Sequence, residues 1–149
     1  MAKKALLIGI NYTGTSAQLS GCHNDALRVR DFLLQCRDFK DENITLLLDR
    51  PDNIQGQPTR QNILDHLTRL LTSSQAGDYL FIHYSGHGAS TRDQNGDEED
   101  GFDESWCPVD YIHAGFILDD ELRAIWSRVK HGVNVFVVSD SCHSGTVFD

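Results

Sequence analysis

Phe81-Ile-His-Tyr-Ser-Gly-His-Gly88 and Val135-Phe-Val-Val-Ser-Asp-Ser-Cys-His-Ser-Gly145 decide the fold. Each is an apolar run that stops abruptly in small and polar residues, the pattern of a buried parallel strand reaching the edge of its sheet. The first run brings His87 to that edge, and the second brings Cys142. Parallel strands present their carboxyl ends together, in the crevice where open α/β sheets hold their sites. A thiol and an imidazole far apart in sequence are therefore expected in one place.

Working outward, apolar runs at 4–10, 44–48, 79–84 and 133–139 read as strands. Between them, residues 25–37 carry Ala26, Val29, Phe32, Leu33 and Cys36 at helical spacing. Thr59 is placed to cap a helix through Leu71, and Asp119 or Asp120 to cap a short one through Val129. This β-α-β-α-β-α-β order predicts one domain over 1–149, a three-layer α/β/α sandwich with a mostly parallel sheet. The polar stretch 88–107 is too long for a simple connector and is expected to be functional or mobile. The chain stops seven residues after Cys142, with its fourth strand barely finished. An apolar strand edge left bare is an aggregation hazard. The expectation is thus a fragment, or a second chain that completes the sheet.

Composition narrows the function. A net charge of −9 disfavours nucleic acid and anionic membrane as partners. No apolar run approaches the roughly 18 residues of a membrane span. The apolar stretch behind Lys3 and Lys4 is too short for a secretory signal. Cys22, Cys36, Cys107 and Cys142 are widely spaced, with no C-x-x-C pair, which points to reduced thiols in a cytoplasmic setting. No Gly-rich phosphate loop such as G-x-G-x-x-G follows the first strand, which argues against a generic doubly wound ligand-binding domain.

A free thiol is only slightly ionised at neutral pH, so a nucleophilic cysteine needs a base or a cationic neighbour. His87 is suited to both tasks, as ion-pair partner and as proton donor to a leaving amine. Gly86, Gly88 and Gly145 permit close backbone approach and free N–H groups for a developing oxyanion, with the region of Gly88 and Cys142 as the candidate. The plainer alternative is a small buried cysteine and a loop histidine. His23, His83 and His143 adjoin these motifs without needing to act, and alternation turns His83 to one sheet face, where a hydrogen-bonded structural histidine is expected. Cys22, His23, Cys142 and His143 have no recognised zinc spacing.

The chain resembles the caspase-like peptidases, and among them the metacaspases and orthocaspases. The resemblance rests on His83-Tyr-Ser-Gly-His-Gly88, Asp140-Ser-Cys-His-Ser-Gly145, the 55-position spacing from His87 to Cys142, Leu6-Leu-Ile-Gly-Ile-Asn-Tyr12 and Leu19-Ser-Gly-Cys-His-Asn-Asp-Ala26. It covers essentially the whole chain and looks like the large, p20-type catalytic subunit. The chain departs from true caspases in having Asp-Ser-Cys-His-Ser-Gly at the nucleophile, and from complete metacaspases in lacking a small, p10-like region.

The resemblance implies a cysteine endopeptidase with His87 and Cys142 as its dyad, cutting proteins after Arg or Lys. The basic side chain would enter a pocket lined by Cys22, Asp25, Ser85 and Asp140. Two carboxylates are what a guanidinium entering a partly dry pocket needs. Asp25 can also be read as an acid at a helix N-terminus, and Cys22 as a space-filling thiol. Arginines would suit an Asp-specific pocket, but Arg28 and Arg30 fall on the helix and read as surface charges. The resemblance further implies an activating calcium ion on Asp103, Asp119, Asp120 and Asp149. Converging carboxylates need a divalent cation, and Ca²⁺ tolerates irregular oxygen geometry. Asp119 and Asp120 are otherwise helix caps. The stretch Asp93-Gln-Asn-Gly-Asp-Glu-Glu-Asp-Gly-Phe-Asp-Glu104 is not an EF-hand, since Glu98 stands where that loop needs Gly. A second function class also fits: a catalytically weak binding or assembly module that requires a separate p10-like segment.

Overall fold

Both faces of the first strand are buried, as its unbroken apolar run requires. The computed structural model describes residues 2–53, 55–92 and 102–143, with side chains at 2–53, 55–88 and 105–140. Strand β1 is Lys3–Gly9, followed by α1 (Cys22–Cys36), β2 (Ile44–Leu48), α2 (Arg60–Thr72) and β3 (Tyr79–Arg92). Then come β4 (Phe102–Trp106), α3 (Tyr111–Ala114), β5 (Ile117–Leu118), α4 (Asp119–Trp126) and β6 (Asn134–His143). On one face Ala5 and Leu7 of β1 pack with Ala26 and Leu33 of α1 and with Ile44 and Leu48 of β2. On the other, Leu6 and Ile8 pack with Ile63, Leu67 and Leu71 of α2 and with Leu122 and Ile125 of α4. No described helix is long and apolar enough to cross a membrane.

The sheet is mixed, with antiparallel pairs added to the expected parallel ones. The order is β2-β1-β3-β4-β5, with β6 on the free side of β3. Pairs β1–β2, β1–β3 and β3–β6 are parallel, while β3–β4 and β4–β5 are antiparallel. The reason is the length of β3. It continues past Tyr84 to Arg92, beyond the end of β1, and its extension takes β4 as partner from Gly88 onward. The expected loop at 88–107 is thus partly strand, and the EF-hand-like stretch falls mostly outside the described residues.

Local signals account for the better-placed elements. Thr59 accepts the Asn62 N–H at 3.2 Å and caps α2 as its sequence predicts. Helix α1 begins three residues before the expected start. Gly21 turns the chain with φ 103°, and the Asn11 side chain, eleven residues upstream, accepts the Cys22 N–H at 3.0 Å. Neither Asp119 nor Asp120 is the N-cap of α4, because Leu118 occupies that position and its N–H donates to Glu121. Gly9 is required by this packing, since a Cβ there would stand 2.6 Å from the Cys22 carbonyl oxygen.

Candidate active site

Strands β3 and β6 run in the same direction, and their register sets the candidate groups opposite one another. Ser85 pairs with Asp140, Gly86 with Ser141, His87 with Cys142, and Gly88 with His143. Parallel partners share a sheet face, and alternation returns to that face every second residue. His83, Ser85 and His87 of β3 therefore lie on one face with Val138, Asp140 and Cys142 of β6. The first turn of α1 brings Cys22 and Asp25 to the same face.

His87 is 2% exposed and held on three sides. Its N–H donates to the Tyr12 hydroxyl at 2.9 Å, and its carbonyl accepts from the Tyr84 hydroxyl at 2.5 Å. Ring nitrogen Nε2 lies 2.7 Å from the Ala17 carbonyl oxygen. A carbonyl oxygen only accepts, so Nε2 carries the proton and Nδ1 is the basic nitrogen. The Tyr12 ring stands 4.8 Å from the imidazole. Its hydroxyl donates to the Cys107 carbonyl at 2.6 Å, while the Cys107 N–H donates to the Tyr84 hydroxyl at 3.0 Å. The two phenols thus tie the His87 peptide to the Cys107 peptide at the point where β3 exchanges one partner strand for another. Burial raises both tyrosine pKa values, so both hydroxyls stay protonated. Burial also pushes the Cys107 thiol up to about 12, which leaves it inert as a nucleophile.

The carboxylates sit one pleat below the dyad. Ser85, 2% exposed, donates its hydroxyl to Asp25 at 3.2 Å. Asp140 is exposed and Cys22 is buried. Arg30 is tied to Asp41 at 2.7 Å and Arg28 is exposed, as expected of surface charges. Asp49, which the sequence did not single out, braces the other side. It accepts from the Asn11 and Tyr12 N–H groups at 2.9 and 2.7 Å and meets the His23 ring.

His83 departs from expectation. It is 4% exposed, yet among the described residues neither ring nitrogen has a hydrogen-bond partner. Burial lowers its pKa from the ordinary 6.5, against the opposing pull of Asp25 and Asp140. An unfolded chain would therefore bind this proton first as pH falls below about 6.5. The protein should lose stability from there down to the folded pKa, and His66 on α2, also lowered by burial, adds in the same direction. Melting temperatures for the wild type and His83→Phe across that window check this. The Phe variant should show the flatter profile, and parallel profiles would refute the assignment.

The expected calcium ligands are placed only in part. Asp103 lies on β4 and is described by its backbone, and Asp149 lies outside the described residues. Asp119 and Asp120 open α4, where Asp119 pairs with Arg123 at 2.7 Å. Among the described residues, no three His, Cys, Asp or Glu side chains gather as a metal site. The side chains of Cys142 and His143 are likewise outside the description, and so is Gly145.

A family model described as metacaspase, peptidase C14 domain, matches residues 3–149. Metacaspase-1B of Neurospora crassa is 47% identical over 147 residues, which is 98% of this chain and 34% of that protein. Metacaspase-1 of Cryptococcus neoformans is 47% identical over 148 residues, or 99% of this chain and 32% of that protein. The chain therefore spans about a third of the length of these relatives. A crystal structure of protein GSU0716 from Geobacter sulfurreducens superposes with a TM-score of 0.74 at 35% identity, covering 99% of this chain and 53% of that one. By its sequence, the chain belongs to the metacaspase family of C14 peptidases.

Proposed function

We propose that this chain is the p20-type catalytic domain of a cysteine endopeptidase that cleaves proteins after Arg or Lys. The observation that carries the reading is the register of β3 and β6, with His87 opposite Cys142 and Ser85 opposite Asp140. In the reaction His87 Nδ1 takes the thiol proton of Cys142, while the Ala17 carbonyl holds Nε2–H and steadies the imidazolium. The thiolate attacks the scissile carbonyl, and the N–H groups of Gly88 and Cys142 receive the oxyanion. His87 returns the proton to the leaving amine, and water then attacks the acyl-enzyme with His87 again as base. The packing of α1 in one core cluster and of α2 and α4 in the other supports the three-layer arrangement the reading assumes.

Asp25 and Asp140, with Ser85 between them, supply the negative charge that a basic P1 side chain needs. Asp25→Asn and Asp140→Asn should each lower kcat/KM on Arg peptides about tenfold to a hundredfold, mainly through KM, by weakening charge-assisted hydrogen bonds. Unchanged KM in both variants would refute the pocket.

Calcium would be held by Asp103, Asp119, Asp120 and Asp149, where its charge would offset the gathered carboxylates and steady the segment beside the site. The β4–β5 pairing supports this: it ends with Ser105 facing Leu118, directly before Asp119 and Asp120 at the start of α4, while Asp103 lies two residues from Ser105 on β4. All four residues are oxygen donors, a set suited to Ca²⁺.

A second reading, a weakly active module completed by a p10-like segment, is favoured by β6. Among the described residues β6 pairs with β3 alone, and Phe136, Val137 and Val138 are 54%, 44% and 44% exposed. Such an apolar edge calls for cover. Hydrolysis of matched fluorogenic peptides ending in Arg, Lys or Asp, with calcium or chelator, decides between the two. Calcium-boosted cleavage after Arg and Lys supports the peptidase. Cleavage only after Asp overturns the pocket, and silence without an added p10-like segment favours the module.

A further inference from the structure

His83 is a buried titratable group that the proposed reaction does not use, and its surroundings explain why a histidine stands there. It lies on β3 two residues before Ser85, on the same face, with Val138 opposite on β6 and Leu7 opposite on β1. The charges that act on it are Asp25 from α1 and Asp140 from β6, with His87 four residues further along its own strand and Cys22 in the first turn of α1. Leu7 adds no charge. The ring thus shares a sheet face with Ser85 and Asp140 of the candidate basic pocket and lies within the field of both carboxylates. Its two nitrogens have no partner among the described residues. A buried donor and acceptor left unsatisfied are costly, and a phenylalanine would fill the same volume without that cost. The arrangement makes sense if the partner arrives with the substrate.

Resting on the basic-pocket reading, we propose that His83 accepts a hydrogen bond from the P1 side chain and sets the preference of the pocket for Arg over Lys. A neutral imidazole offers one acceptor nitrogen. Burial keeps the ring neutral in spite of Asp25 and Asp140. Arginine presents five N–H donors in a rigid fork, enough to reach both carboxylates and still address the ring. Lysine has three donors at a single point, which Asp25, Asp140 and Ser85 suffice to occupy. A protonated ring would instead place a positive charge under the incoming cation, so the preference for Arg should fade as pH falls.

The test compares kcat and KM on peptides differing only in a terminal Arg or Lys, for the wild type, His83→Phe and His83→Gln of the active peptidase. The expected result is an Arg-to-Lys ratio of kcat/KM about tenfold lower in the Phe variant, through KM, the size of one lost charge-assisted hydrogen bond. The Gln variant, which keeps an acceptor, should retain most of the preference. A ring that only fills space would leave the ratio unmoved, and an unmoved ratio in the Phe variant overturns the inference. Should that variant fail to fold, the wild type is measured from about pH 8 to about pH 5, spanning histidine titration. KM for the Arg peptide must then rise more than KM for the Lys peptide, and a constant ratio overturns the inference equally. Wild-type protein that cleaves after neither residue refutes the pocket itself, a result distinct from cleavage with an unaltered ratio.

Discussion

Replacing Cys142 with alanine is expected to abolish peptide hydrolysis, a loss of about 10⁴-fold or more in kcat. Cys107 is buried with its pKa pushed up to about 12, and Cys36 lies at the far end of α1 from the candidate dyad. His87→Ala should cost nearly as much, because the thiol then loses the base placed opposite it across β3 and β6. The double variant should be little worse than either single one, since two residues acting as a unit do not contribute additively. Thiol alkylation separates the roles. A cysteine paired with an imidazolium reacts well below its ordinary pKa of about 8.5, so His87→Ala should shift the alkylation profile toward that value. Cys142→Ala should remove the fast-reacting thiol altogether. Retained hydrolysis in Cys142→Ala, or an unshifted profile in His87→Ala, would sink the dyad.

Tyr12→Phe should damage stability and turnover together. The single hydroxyl it removes accepts the His87 N–H and donates to the Cys107 carbonyl, and both peptide groups are buried. Each group left unsatisfied costs about 1–3 kcal/mol, so the variant should lose about 2–6 kcal/mol. At about 2–4 °C per kcal/mol for a chain of this size, the melting temperature should fall by about 4–24 °C. Turnover should fall about tenfold to a hundredfold, because the His87 backbone loses an anchor and small misplacements of a catalytic group are costly. Tyr84→Phe should act likewise, and the pair should be non-additive, since their oxygens lie 3.3 Å apart and share both peptides. Thermal melting with kinetics on the two single variants and the double variant provides the check. A Tyr12→Phe protein as stable and as active as the wild type would show that the network does not hold His87.

Much of the site was legible because its signals are local. Apolar runs ending in Ser-Gly-His-Gly and Asp-Ser-Cys-His-Ser marked His87 and Cys142 as strand-end residues. The neighbouring Ser85 and Asp140 followed on the same two strands. The brace around them was not legible. Neither Tyr12, beyond the first strand, nor Tyr84, within the third, carries a local signal of this role, the Ala17 carbonyl has no sequence signature, and Asp49 reaches its partners across 26 residues or more. His83 looked like a histidine with its hydrogen bonds made, since nothing in strand alternation tells which neighbours will face a ring.

By itself the sequence determined the strand at 44–48, the α2 cap at Thr59, the doubly buried first strand and the presence of an imidazole and a thiol on two apolar strands. These depend on periodicity and on residues within a few positions of one another. Only the tertiary structure decided that β3 outruns β1 and makes the sheet mixed. It alone set His87 in register with Cys142, brought Asp25 to Ser85, and left the His83 ring buried without a hydrogen-bond partner among the described residues. Those outcomes depend on pairing between segments dozens of residues apart, where many registers satisfy the same apolar pattern and packing against α1, β4 and β6 selects one.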